Sequence, residues 1–170
     1  YDGKTFQHYT EEQGLGLNKV RAMHQDIEGN YWFATDGNGV SKFDGETFTN
    51  YNTTNGMSGN NVLCIYENEL GDLWFGTYLD GITRYDGYTF SHFTVDQGLA
   101  NNTVQAIIQD SIGQMYFGTK GGGLTVFDGQ HITNYTTREN LSDNYVISLH
   151  EDSEGVIWVG TEGSGLNKFD

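Results

Sequence analysis

Apolar positions along this chain come in short runs of four to seven residues, separated by breaks rich in Gly, Asp and Asn. Two kinds of run recur. Residues 19–25 alternate, with Val20, Ala22 and His24 interleaved with Arg21, Met23 and Gln25, the period-two pattern of a half-buried strand. Residues 31–35 are apolar on both faces, since Tyr31 and Phe33 oppose Trp32 and Ala34, so that strand needs cover on both sides. Asp26-Ile27-Glu28-Gly29 and Asp36-Gly37-Asn38-Gly39 carry turn chemistry, because Asp bonds its own backbone and Gly accepts a positive φ. Asp44-Gly45 is a two-residue hairpin signal. With residues 5–10, anchored by Phe6 and Tyr9, and residues 40–43, the pattern predicts four short antiparallel strands, with a Gly-containing loop over 11–17.

The pattern then repeats. Residues 29–35, 71–77, 113–119 and 155–161 each begin with Gly, place Trp32, Trp74, Tyr116 or Trp158 fourth and end in Thr, at a constant interval of 42 residues. The repeat units run over 2–43, 44–85, 86–127 and 128–169 of a single array spanning 1–170. A four-stranded sheet that is apolar on both sides survives only between copies of itself, and radial stacking of such units is the all-β propeller. A β-solenoid has shorter rungs, and a sandwich does not keep so strict a period. The propeller reading puts Val20, Val62, Val104 and Val146 on the innermost strands. The Trp strands come next, then Val40, Ile82, Leu124 and Leu166, with Phe6, Phe48, Phe90 and Ile132 at the outer edge.

Tyr1-Asp2 stands in the same phase as Phe43-Asp44 and Phe169-Asp170. In a closed four-blade ring, residues 5–10 would therefore pair with 165–169 and remove the exposed edge. The alternatives are part of a seven- or eight-bladed ring, or an open array continued by neighbouring chains. Gln13-Gly14-Leu15 matches Gln97-Gly98-Leu99, and Thr49-Asn50-Tyr51 matches Thr133-Asn134-Tyr135, which favours an even blade number. The start in mid-pattern, without an initiator Met, reads as an excerpt or a processed product.

Composition narrows the partners. Twenty-four Gly and no Pro suit a chain of tight turns and committed strand ladders. The net charge of −15 argues against nucleic acid or an anionic membrane surface. No apolar run is long enough to span a membrane. Cys64 is the single cysteine, and its repeat equivalents Ala22, Ala106 and Ser148 mark it as a small core residue.

Asn60-Asn61-Val62-Leu63-Cys64-Ile65, then Gly71-Asp72-Leu73-Trp74-Phe75-Gly76-Thr77, then Gly81-Ile82-Thr83-Arg84-Tyr85-Asp86 resemble the two-component regulator propeller repeat. The fourth unit matches through residues 152–161 and Gly163-Ser164-Gly165-Leu166, so the resemblance covers essentially the whole chain. Ala34 in place of Gly, Tyr116 in place of Trp, and Tyr78-Leu79 in place of a polar-Gly pair depart from the pattern. The resemblance implies an extracytoplasmic (periplasmic or extracellular) bacterial sensor module, often one that senses saccharides.

Function should lie where the repeat breaks on one loop face. There the loops after the Trp strands offer Asp36, Tyr78, Lys120 and Glu162, with Asn38, Asp80 and Ser164 nearby, and the approaches to the inner strands offer Lys19, Asn61, Thr103 and Tyr145. Tyr78 and Tyr145 would stack on a sugar, with Asp36, Asp80 and Glu162 accepting from its hydroxyls. The carboxylates of Asp26-Ile27-Glu28-Gly29 and Asp152-Ser153-Glu154-Gly155 are hard-oxygen ligands. However, Asn68-Glu69-Leu70-Gly71 keeps the same turn with different carboxylates, so the turn and not a metal is the expected role. No nucleophile elbow, zinc-binding His pair or phosphate-cradling loop is present, and no cofactor is implied. Asn52, Asn101, Asn134 and Asn140 satisfy the glycan-acceptor pattern. The sequence therefore predicts a non-catalytic binding module for a saccharide or peptide. Its alternatives are a structural protein whose identical chains assemble into a ring or fibre, and a propeller enzyme of lyase or glycosidase type.

Overall fold

A computed structural model describes Gly3 and residues 5–169 of the chain. Apart from three single-turn 3-10 helices it is all strand, arranged as four antiparallel sheets. The first blade holds β1 (Val20–Gln25), β2 (Tyr31–Thr35), β3 (Val40–Phe43) and β4 (Phe48–Tyr51), hydrogen-bonded in that order. The second repeats it with β5 (Val62–Glu67), β6 (Leu73–Thr77), β7 (Ile82–Tyr85) and β8 (Phe90–Phe93). The third has β9 (Val104–Gln109), β10 (Met115–Thr119), β11 (Gly123–Phe127) and β12 (Ile132–Tyr135). The fourth has three strands, β13 (Val146–Glu151), β14 (Ile157–Thr161) and β15 (Leu166–Phe169). Each complete sheet thus takes its outer strand from the following sequence repeat.

The residue types that recur explain why each blade forms. The closing Thr35, Thr77 and Thr119 are buried, and each hydroxyl donates to the carbonyl four residues on, at Gly39, Gly81 and Gly123 (2.9, 2.7 and 2.8 Å). That bond clamps the turn between the second and third strands. These three glycines are obligatory, since a Cβ there would lie 2.0–2.2 Å from the carbonyl oxygen of Tyr51, Phe93 or Tyr135 on the outer strand. At the opposite end, Gly29 at φ +91° closes its turn by donating to Asp26 O (2.9 Å). The equivalent turns at Gly71, Gly113 and Gly155 do the same at 3.0 Å.

The core lies between blades, not within them. Trp32, Ala34 and Val40 of the first blade pack on Val62, Leu73 and Phe75 of the second. Trp74 and Ile82 pack on Val104, Met115 and Phe117, and Tyr116 and Leu124 on Val146, Ile157 and Val159. Both faces of β6 and β10, the Trp strand and its Tyr116 counterpart in the two inner blades, are buried this way, as the apolar pattern demands. A polar staple accompanies each junction. The last residue of the inner strand reaches back to the preceding blade's turn, so that Ile27 N–H donates to Glu67, Glu69 N–H to Gln109 and Ser111 N–H to Glu151 (3.0–3.1 Å).

Two expectations change. Residues 5–10 form no strand and do not pair with residues 165–169, so the described chain is an open arc and not a closed four-blade ring. Tyr9 instead lies against Phe43 and Phe48 of the first blade, with ring centroids 5.2 and 5.8 Å away. Tyr1, Asp2 and Asp170, whose phase suggested closure, lie outside the described residues.

Candidate functional site

The loops after β2, β6, β10 and β14 share one end of the array with the approaches to the inner strands, and hydrogen bonds knit the two sets into one rim. Asp36 N–H donates to Lys19 O (3.0 Å), Tyr78 N–H to Asn61 O, Lys120 N–H to Thr103 O and Glu162 N–H to Tyr145 O (2.9 Å each). Bridges between Asp36 and Asn61 and between Lys120 and Tyr145 carry the rim from blade to blade. Lys19, Asp36, Tyr78, Lys120, Tyr145 and Glu162 therefore do come together along a single edge.

Asn38 and Asp80 lie two residues further along the same loops. The Asn38 amide donates to Gly16 O (2.7 Å) and accepts from the Asn52 amide (3.2 Å), so it braces two loops. Asp80 lies over Gly59, where a Cβ would meet its carboxylate at 2.3 Å. Both hold the same turn through a backbone N–H to Thr35 or Thr77.

Charge on the rim is uneven. Lys19 pairs with Asp36, and Arg21 reaches the same oxygen with its Nη2 at 2.6 Å and Nε at 3.1 Å. Hydrogen bonds from Lys19 and Arg21 hold the Asp36 carboxyl below the usual carboxylate range. Asp36 is thus already engaged by two cations. Among the described residues the exposed Lys120 and Glu162 show no such arrangement.

Arg21 is exposed, as its alternation with Ala22 and His24 suggests, but sequence alone did not name it among the rim residues. Each inner strand has a β-bulge where it starts, so that Val20 opposes Thr35 but Ala22 opposes Ala34. The same slip recurs at Val62/Cys64, at the β9 equivalent and at Val146/Ser148. A bulge re-aims the extra residue, here Arg21, Leu63, Gln105 and Ile147. Leu79 was seen only as a departure from the repeat. It sits at φ +75°, a left-handed conformation unfavourable for a branched side chain, and is 60% exposed. Tyr78 beside it is 42% exposed and Tyr145 39%.

The carboxylates at the far end have structural work. Asp26 accepts from Asn30 N–H (2.7 Å) and Trp32 Nε1–H (2.8 Å), and Asp152 from Val156 N–H and Trp158 Nε1–H. Asp110 does the same for Gln114 N–H and the Tyr116 hydroxyl. A cleft of about 280 Å³ between the first two blades includes Asp26, Glu28, Lys42 and Glu67. Within it Glu67 already faces His24 (2.7 Å). Among the described residues no cluster of three His, Cys, Asp or Glu is placed to hold a metal. Burial pushes the Cys64 thiol up to about 12, so it is protonated and unreactive at neutral pH.

With this geometry in hand, the comparisons are specific. The family described as two component regulator propeller matches four times, over residues 14–37, 56–79, 98–121 and 140–163. Among solved structures, the chain superposes with a TM-score of 0.82 and 26% identity on the extracellular domain of BT3049 of B. thetaiotaomicron, assigned to the hybrid two component systems. The match covers 99% of this chain and 23% of that one. A second such domain, BT4673 of the same organism, gives 0.76 at 25% identity, covering 92% of this chain and 23% of that one. The chain thus spans about a quarter of the length of these structures. A streptogramin B lyase matches at 0.68 and 16% identity over 92% of this chain and 56% of that one, which shows the fold alone. No curated protein sequence matches significantly. Among the described residues no helix is long and apolar enough to cross a membrane, which says nothing of a β-barrel.

Proposed function

Because this chain belongs to the two component regulator propeller family, we propose that it is a non-catalytic recognition module of an extracytoplasmic bacterial sensor, taking a saccharide on the loop rim. The observation that carries this reading is the Tyr78-Leu79 pair. The other three blades have Gly37, Gly121 and Gly163 where this one holds an exposed leucine in a left-handed backbone. Such strain costs on the order of 1 kcal/mol and still leaves the leucine 60% exposed, so a ligand is what would give the apolar surface a use.

Tyr78 and Tyr145 supply ring faces, Glu162 an acceptor and Lys120 a donor, the few polar groups around apolar surface that a sugar site needs. Asp36, locked by Lys19 and Arg21, holds the rim in shape. The sensor assignment draws on the two extracellular domains above, and the distant lyase likeness gives no catalytic residue to set against it.

A glycan array followed by calorimetry on the best binder tests this. Replacing Tyr78 and Tyr145 together by Ala should weaken binding at least about tenfold while leaving the melting temperature within a few degrees. Absence of glycan binding, or binding indifferent to the double substitution, refutes the site.

A further inference from the structure

The cleft between the first two blades is a second site, and we propose that it takes an organic cation, an ammonium or guanidinium group carried on an aliphatic stem.

Nothing in the cleft depends on the ends of the chain. It lies at the end of the array opposite the rim, at a junction where both blades have all four strands. Its volume of about 280 Å³ falls just under the roughly 300 Å³ at which small-molecule sites begin. That is room for one side chain or a short amine, and not for a chain of sugars.

The lining departs from the repeat at the positions that carry chemistry. Glu28 and Glu67 have Leu70 and Gln109 as their equivalents at the next junction, and Tyr85 and Tyr88 have Phe127 and Gln130. Asp26, Glu28, Glu67 and Asp86 thus bring four carboxylates to the cleft, against Lys42 as the basic residue among its described lining. Three of the four are fixed in place. Asp26 is held by Asn30 and Trp32, Glu67 by His24 and Ile27 N–H, and Asp86 by the N–H groups of Tyr88 and Thr89 (2.9 and 2.7 Å). A cleft walled by one sign of charge concentrates ions of the other. Glu28 is the free acceptor. Its contacts are long, 3.3 Å from the Asn30 amide and 3.9 Å from Lys42, and its side chain is 74% exposed.

The rings decide which cation fits. Lys42 of the chain itself already lies over the Trp32 ring at 5.4 Å, so the wall accepts a positive charge on an aliphatic stem against a π face. Tyr85 lines the same cleft, its hydroxyl donating to Gly87 O (2.7 Å). Tyr88, on the turn between β7 and β8, is 93% exposed and offers a further π face, with the exposed Ile27 and Leu70 beside it for the stem. A hydrated metal ion would gain little from these rings, and no cluster among the described residues is placed to hold one. This site is independent of what the rim binds.

Titrating the 170-residue chain with spermidine, and separately with N-acetylarginine amide, tests this by NMR of the indole Nε1–H signals. Trp32 should shift saturably, with a dissociation constant on the order of 1 mM at low salt, while Trp74 and Trp158 serve as references. Glu28→Gln and Tyr88→Ala, both at exposed side chains, should each weaken binding about three- to fivefold. Lys42→Met removes the resident cation but keeps its stem, and should tighten binding by a similar factor. Tighter binding of the arginine amide assigns the ligand to a protein side chain, and tighter binding of spermidine to a free polyamine. No saturable shift at Trp32 up to about 20 mM of either probe overturns the site. So do equal shifts at all three indoles, or binding indifferent to Tyr88→Ala and Glu28→Gln. Replacing Tyr78 and Tyr145 should leave this binding unchanged, so the rim and the cleft stand or fall separately.

Discussion

The first and second blades share a fold but wire their tryptophans differently. In the first, Asp26 receives both Asn30 N–H and Trp32 Nε1–H. In the second, the carboxylate and amide have exchanged places. Asn68 caps the turn through Asp72 N–H (2.8 Å), and Asp72 receives Arg84 Nε–H (2.9 Å). Trp74 Nε1 is then buried without a hydrogen-bond partner among the described residues. A cation still lies over each indole, Lys42 at 5.4 Å from the Trp32 ring and Arg84 at 5.7 Å from Trp74. The lesson is that indole packing between blades, not the indole N–H bond, holds the repeat together. The polar socket can be rearranged at a cost of about 1–3 kcal/mol without losing the blade.

The largest break in that comparison should come from the backbone contact behind the two indoles. The first blade holds Ala34 opposite Ala22, and the second Gly76 opposite Cys64. A Cβ on Gly76 would fall 2.5 Å from Cys64 Sγ and 2.9 Å from Val104 O. Gly76→Ala should cost about 2–3 kcal/mol in denaturant unfolding, and Cys64→Ala in the same chain should recover part of it. Asp26→Ala removes the acceptor of two buried donors and should cost about 2 kcal/mol, read from the melting curve.

A sharper test exchanges each indole for a ring without N–H. Trp32→Phe gives up a hydrogen bond to a carboxylate and Trp74→Phe gives up none, so the first should be the more damaging by about 1–2 kcal/mol. Equal losses would mean that Trp74 Nε1 has found a water.

The smallest effect is with pH. Burial alone would push Asp26 up, but hydrogen bonds from Trp32 and Asn30 hold it below its ordinary value, and that from Trp158 does the same for Asp152. A carboxyl depressed in the folded state stabilises above its unfolded pKa of about 4 and loses that contribution as pH falls through the folded value. Hydrogen exchange at about pH 3 should therefore show the first and fourth sockets loosening before the second, where Asn68 has no proton to take up.

Much of this was legible in the residues. The constant interval, Trp32 opposite Tyr31 and Phe33, and the Asp-Gly turns dictate strands, hairpins and inter-blade burial through local chemistry and period alone. The common rim of Tyr78, Lys120, Tyr145 and Glu162 followed because equal repeats place equal loops at one end. Arg21 escaped because its partner, Asp36, is 15 residues away and meets it only in the fold. Asn38 was read as a ligand group because its partners, Gly16 and Asn52, are 22 and 14 residues away and meet it only in the fold.

Residues 5–10 mark the boundary most clearly. Their local pattern predicts a strand, yet none forms there. A strand needs an edge to pair with, and only the curvature of the array decides whether the edge at Leu166 comes within reach. Period and polarity fixed what a blade is. The rotation between blades, a sum of packed side chains along the whole chain, decided that four of them leave a gap.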